Sequence, residues 1–141
     1  MNAIAQEDLY GCGVACLASV ADVTYKQALK LFINGKNKAM RVGFYCPEFV
    51  AALAKKGLNY EWRAIKSPKV KNRIYHEGTI VFIQKSKKYP GGHFLSRGEG
   101  MWMDPWINYP DINIKAGFRK RLPEKPIYVV MRQNQKSALK H

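Results

Sequence analysis

Apolar residues recur at helical spacing in the first part of the chain. From Cys12 onward they fall three or four positions apart, which places them on one face of a helix. Thr24 is a favourable N-cap for a second helix over 25–32, and a third helix is predicted over 46–56. The basic, glycine-containing segment 35–45 between these two helices is predicted to be a loop.

After Gly57 the pattern changes to short apolar runs that are typical of strands. The clearest run is Thr79–Gln84, which is rich in β-branched residues and suits a central strand. Strands are predicted over 60–65, 79–84, 93–96, 101–103 and 127–131, with a hairpin turn at 97–100. Helices followed by strands predict an α+β fold, in which an N-terminal half of about three helices packs on a C-terminal, mostly antiparallel sheet.

Length and composition agree with a single folded domain. At 141 residues the chain suits one domain, which is predicted to span 1–131 and to be followed by a polar, basic C-terminal tail at 132–141. Lysine and arginine outnumber aspartate and glutamate by 24 to 10, for a formal net charge of +14. This balance favours an acidic protein or a nucleic acid as partner, although it also describes an ordinary solvated surface.

Cysteine usage and hydrophobic segments indicate the cellular compartment that we expect for the protein. Three cysteines, at positions 12, 16 and 46, do not form the even set of a secreted disulfide scaffold, and their spacing is not that of a metal site. No apolar run approaches the roughly 20 residues that span a bilayer, and no signal peptide is recognisable. We therefore expect a cytoplasmic location, no cofactor and no metal.

Four residues carry the parts of a cysteine-nucleophile site. Cys12 lies where a helix begins, and the helix dipole there favours the thiolate over the thiol. His93 opens one strand of the predicted hairpin and Asp104 follows the other, so an imidazole and a carboxylate are expected side by side. Gln6 supplies a side-chain amide upstream of the thiol. The competing interpretation is that cysteines on helices are buried apolar fillers, which is how we interpret Cys16 and Cys46.

These residues resemble a family as a set. Gln6, Cys12-Gly13, Gly92-His93-Phe94 and Asp104-Pro105 are similar to the double-glycine leader peptidases, the papain-like domains of bacteriocin-processing ABC transporters. The resemblance implies a papain-like fold and a cysteine peptidase that forms an acyl-enzyme. It also implies Cys12 as nucleophile, His93 as general base and acid, Asp104 as orienting carboxylate and Gln6 as oxyanion donor. The implied substrate is a peptide or protein, of the Gly-Gly type.

The chain departs from the family pattern, and the departures leave the substrate open. Gly11 precedes the cysteine where the family has aspartate, and no transporter follows, so a freestanding unit is expected. Candidate substrate-binding residues are Tyr10, Gly92, Trp102 and Trp106. The three aromatic residues are included because aromatic residues beside a cleft often grip a peptide, and the competing interpretation, which we favour for Trp102, is that it belongs to the core. The alternatives are a delivered toxin or effector, or a phage protein, with amidase, deamidase or acyltransferase chemistry. A third is a basic module that binds nucleic acid or an acidic protein and keeps a vestigial triad.

Overall fold

A computed structural model describes residues 1–133, which form helices in the first half and an antiparallel sheet in the second. The helices are α1 (Cys12–Ala21), α2 (Tyr25–Leu31), α3 (Gly35–Arg41), α4 (Cys46–Ala54) and α5 (Pro68–Arg73). The strands are β1 (Tyr60–Ala64), β2 (Ile80–Ile83), β3 (His93–Gly98), β4 (Met101–Asp104), β5 (Gly117–Arg119) and β6 (Pro126–Arg132). The predicted α+β class is confirmed.

α1 is the central element of the helical half. It begins at Cys12 as predicted, its residues 13–19 are buried, and it packs against α2 and β3. α2 begins after Thr24, whose hydroxyl accepts a hydrogen bond from the backbone N–H of Gln27 within a capping box. α4 begins at Cys46 as predicted, with proline in its first turn.

Segment 35–45 is not the loop that the sequence predicts, because α3 occupies most of it. The segment is rich in lysine, alanine, methionine and arginine, all of which have high helix propensity. Within α3 itself the buried positions are confined to Gly35 and Ala39, so no apolar stripe at helical spacing marks the helix. The Lys38 ammonium also pairs with the Glu48 carboxylate on α4, a contact that sequence periodicity does not reveal.

The sheet has six strands in the order β1-β6-β2-β3-β4-β5, and every neighbouring pair is antiparallel. The five predicted strands are all present. In the predicted hairpin, β3 runs on through Gly98, so the turn is shorter than the segment 97–100. Besides α3, two elements were not predicted: α5, with no buried residue, and β5, with only three residues of intermediate exposure. Neither leaves a hydrophobic pattern in the sequence.

Two hydrophobic clusters form the core. The larger lies between the helical half and the sheet and includes Leu17, Phe49 and Phe94. The smaller includes Ile74, Leu95 and Trp102 and covers other residues of the sheet. β6 extends through Arg132, one residue past the predicted domain boundary, and positions 134–141 of the predicted tail lie outside the described residues. Within residues 1–133, no helix combines the length and apolar character needed to cross a membrane.

Candidate active site

Cys12 occupies the first position of α1, at the positive end of the helix dipole. The N-cap is Gly11, which has no side chain to accept the free N–H groups of the first turn, so these groups remain available to a ligand. A Cβ at residue 11 would overlap the Tyr25 hydroxyl. That hydroxyl donates to Asp8 Oδ2 over 2.8 Å, which fixes its position. Glycine before the cysteine therefore has a steric cause in this chain.

The three cysteines have different environments. Cys12 is half-buried, whereas Cys16 and Cys46 are buried. Burial raises the pKa of Cys16 well above its ordinary value, with the charges of Cys12 and Asp104 adding to the effect. Burial also raises the pKa of Cys46 to about 11. Both remain neutral thiols at physiological pH, which confirms their interpretation as packing residues. Among residues 1–133, no cluster of three or more possible metal ligands occurs.

His93 and Asp104 meet as predicted. His93 begins β3 and Asp104 ends β4, and the antiparallel pairing of these strands brings the side chains together. His93 Nε2 and Asp104 Oδ1 lie 2.7 Å apart, and both side chains are buried. This contact is within the range of a charge-assisted hydrogen bond.

The electrostatics of the pair favour a charged imidazole. Burial works to lower the pKa of His93, but the Asp104 carboxylate, which accepts a hydrogen bond from the ring, and the neighbouring Cys12 raise it to about 9. Burial works to raise the pKa of Asp104, but the hydrogen bond and charge of His93 lower it below its ordinary value. Cys12 thus acts on the same ring that Asp104 holds, which sequence reasoning alone does not establish.

Three further groups surround the pair. The backbone N–H of Trp106 donates to Asp104 Oδ1 over 3.0 Å, and Arg119 Nη1 donates to Oδ2 over 3.2 Å. The ring of Tyr89 stacks on that of His93, with centroids 5.1 Å apart and an angle of 12° between the planes. Sequence reasoning missed Arg119 and Tyr89, because β5 was not predicted and a loop tyrosine carries no distinguishing pattern.

Gln6 is buried beside the site, and its side-chain amide is already engaged in hydrogen bonds with the backbone. Its Nε2 donates to the backbone oxygens of Asp8 and Leu9, each over 3.0 Å. Its backbone N–H donates to the oxygen of Pro105 over 3.3 Å, which ties the N-terminal segment to the residue after Asp104. Its Oε1 is buried and has no hydrogen-bond partner within residues 1–133.

The four predicted substrate-binding residues fall in different places. Tyr10 is 47% exposed and lies two residues before Cys12, where it suits contact with a substrate. Gly92 precedes His93 with a φ of +75°, and a Cβ there would overlap the Phe82 ring. Trp102 is only 1% exposed and packs in the smaller core cluster, so its proposed role in a cleft wall is wrong. Trp106 is nearly buried and serves the site through its backbone N–H.

Comparison with solved structures identifies the class of fold. The chain has the α+β fold of a papain-like peptidase domain. It is similar to the crystal structure of the peptidase domain of Streptococcus ComA, a bi-functional ABC transporter involved in a quorum-sensing pathway. The TM-score is 0.52 at 22% sequence identity, and the alignment covers 92% of this chain and 97% of that domain. No protein-family model and no curated protein matches the chain. The resemblance inferred from the sequence is confirmed at the level of fold.

Proposed function

We propose that this protein is a cysteine peptidase that cleaves a peptide bond through a Cys12–His93–Asp104 triad and an acyl-enzyme. The observation that carries the proposal is the buried His93–Asp104 hydrogen bond of 2.7 Å, combined with the action of Cys12 on the same ring. The solved structure with this fold is itself a peptidase domain, which supports the proposal. The substrate is a peptide or protein, and the sequence resemblance suggests a Gly-Gly site.

In the proposed mechanism each nitrogen of His93 has its own task. Because Nε2 is hydrogen-bonded to Asp104, Nδ1 is the ring nitrogen left for Cys12. With its pKa raised to about 9, the ring holds a proton at neutral pH and stabilises the Cys12 thiolate beside it. Asp104 fixes the ring orientation and stabilises the positive charge. In the proposed mechanism Cys12 attacks as the thiolate, which a positive ring beside it favours.

The reaction proceeds in two halves. The Cys12 sulfur attacks the scissile carbonyl carbon, and the carbonyl oxygen takes up the negative charge. As the tetrahedral intermediate collapses, the C–N bond breaks and Nδ1–H of His93 gives its proton to the leaving amine. A water molecule then attacks the thioester, neutral His93 takes its proton, and the acid product leaves Cys12 as thiolate again.

The oxyanion is held by the backbone N–H of Cys12 and by Gln6. The first-turn amide groups of α1 suit this role, because glycine at the N-cap leaves them uncapped. Gln6 Nε2 has two hydrogens, and both point at backbone oxygens of Asp8 and Leu9. Its participation therefore requires that one of these acceptors be exchanged for the substrate oxygen.

Selective alkylation tests the activated thiol. At pH 6 only about 0.3% of an ordinary cysteine is thiolate. We expect iodoacetamide to label Cys12 at least about tenfold faster in the native protein than in H93Q, because the variant loses the imidazolium partner. Mass spectrometry of the peptides reports each cysteine separately. Cys46→Ala is the matched control and leaves the rate at Cys12 unchanged. Equal rates in the native protein and H93Q would contradict the proposal.

Product analysis separates peptide cleavage from related chemistry. Amidases, deamidases and acyltransferases use the same acyl-enzyme and differ in the leaving group and the acceptor. A glycine-ended electrophilic peptide probe should label Cys12, and cleavage of a Gly-Gly peptide should yield two fragments without acyl transfer to an added amine. Labelling of Cys12 without fragment release would favour the alternatives. Salt-sensitive DNA or RNA binding that survives Cys12→Ala would favour a binding module.

A further inference from the structure

Asp104 is a fully buried carboxylate whose two oxygens are held differently. Its side chain is 0% exposed. Oδ1 receives two donors, His93 Nε2 over 2.7 Å and the backbone N–H of Trp106 over 3.0 Å. Oδ2 receives Arg119 Nη1 over 3.2 Å. A buried carboxylate oxygen without a hydrogen-bond donor is costly. The Arg119 guanidinium supplies the donor for Oδ2.

The sheet explains how the arginine reaches this oxygen. β5 pairs with β4 so that Gly117 lies opposite Asp104 and Arg119 lies opposite Trp102. Residues two apart on a strand share one face of the sheet, so Arg119 lies diagonally across from Asp104 on the same face. Glycine opposite the carboxylate leaves that position without a side chain. The Arg119 side chain is 27% exposed, so it spans from solvent to the buried carboxylate.

We infer that Arg119 is a positioning residue for the proposed triad: by holding Oδ2 it keeps Asp104 ionised and turned so that Oδ1 faces His93. This inference rests on the proposed function, because the orientation of His93 matters only if Cys12 reacts. Without Arg119, the carboxylate is free to rotate about its Cβ–Cγ bond and its charge is buried with one donor fewer.

Arg119 differs in charge from the other groups at the pair. The titratable groups that act on Asp104 and His93 are Cys12 and Cys16 on α1, Tyr89 before β3, and Arg119 on β5. In the described part of the chain, Arg119 is the only cation of this set apart from the His93 ring. Its charge opposes proton uptake at Asp104, so its removal raises the pKa of that carboxyl. A carboxylate no longer turned toward His93 lowers the pKa of the ring, because the hydrogen bond to Asp104 is the largest cause that raises it. A purely structural residue would lower activity without moving either pKa.

The pH profile of Cys12 alkylation tests this role without a known substrate. The variant is Arg119→Met, and the matched control is Arg121→Met, an exposed arginine two residues further along the chain. In the native protein the rate changes as His93 loses its proton near pH 9. We expect R119M to move this transition to lower pH by about one pH unit, because Asp104 Oδ1 no longer holds the imidazolium. R121M leaves the transition in place, and Arg119→Lys, which keeps a charged donor, returns it most of the way to its native position.

The outcomes separate this inference from the proposed function. If the native Cys12 is no more reactive than in H93Q, the proposed function and this inference both fail. If the native Cys12 is activated but the transition stays in place or moves to higher pH in R119M, or moves equally in R121M, only the inference is overturned. Circular dichroism reports folding of each variant, and Arg119→Gln, which keeps a polar side chain, decides the matter if R119M does not fold.

Discussion

Gly11→Ala is the sharpest test of how the start of α1 is built. The added Cβ would overlap the Tyr25 hydroxyl, and its next neighbours, Asp8 O and Tyr25 Cζ, lie at 3.1 and 3.2 Å. The backbone of Gly11 has a φ of −95°, which alanine accepts without strain. The clash with the hydroxyl is therefore the obstacle, and we expect its removal to relieve most of the cost.

The expected loss of stability follows from the interactions that the Tyr25 side chain must break. To clear the Cβ, Tyr25 must break its 2.8 Å hydrogen bond to the Asp8 carboxylate, a bond to a charged group worth about 1.5–3 kcal/mol. Tyr25 is only 4% exposed, so its displacement also disturbs a packed core at a cost of about 1–3 kcal/mol. Gly11→Ala should therefore destabilise the protein by about 2.5–6 kcal/mol.

A double-mutant cycle with Tyr25→Phe isolates the contact. In the phenylalanine background the 3.1 Å approach to Asp8 O and the 3.2 Å approach to Cζ remain, and we expect Gly11→Ala to cost about 1 kcal/mol or less. Urea unfolding followed by circular dichroism gives the four free energies. Gly91→Ala is the control, because no atom of the described residues 1–133 outside its chain neighbours lies within 4 Å of its Cβ position. Additive effects of the two substitutions would refute the steric argument.

Three further predictions concern the histidine and its surroundings. The pKa of His93 lies above 6.5, so its stabilisation of the fold, about 3 kcal/mol, is complete below pH 6.5 and lost as the pH rises through about 9. Because the pKa of Asp104 is lowered in the folded protein, its ionised carboxylate stabilises the fold at pH values above its ordinary pKa. This stabilisation is lost on acidification. Unfolding free energies across pH should show both losses in the native protein and a flatter alkaline limb in H93Q. Gly92→Ala should slow Cys12 alkylation at least about tenfold by displacing Phe82 and straining φ, and unchanged rates would contradict this. Tyr89→Phe should be neutral or stabilising in thermal unfolding, because its buried hydroxyl has no partner within residues 1–133, whereas Tyr89→Leu should lower activity by releasing the His93 ring.

The sequence predicts the parts of the site that depend on local order. A hairpin brings His93 and Asp104 together because its register follows from the pairing of neighbouring strands. The start of α1 at Cys12 follows from a glycine and an apolar stripe. Both features arise within short segments, where periodicity and turn residues carry the information.

The parts that were missed depend on contacts between distant segments. Arg119 reaches Asp104 from a three-residue strand, and Tyr89 stacks on His93 from an irregular loop. Neither segment is long enough to show the hydrophobic periodicity from which an element is recognised in the sequence. The incorrect assignment of Trp102 has the same origin, because alternation along β4 shows which residues share a face but not which face is buried in a core.

Gln6 shows why a motif residue and a working geometry are different findings. The sequence resemblance implies that it is an oxyanion donor, yet both hydrogens of its amide are directed to the backbone oxygens of Asp8 and Leu9. These oxygens belong to the segment that leads into Cys12, so Gln6 also holds that segment in place. The two roles separate kinetically: loss of an oxyanion donor lowers turnover by about 10²–10³-fold and leaves Cys12 alkylation unchanged, since alkylation forms no oxyanion. A loosened approach to α1 would instead slow both reactions, so the pair of rates in Gln6→Ala, measured against the exposed control Gln84→Ala, shows which role dominates.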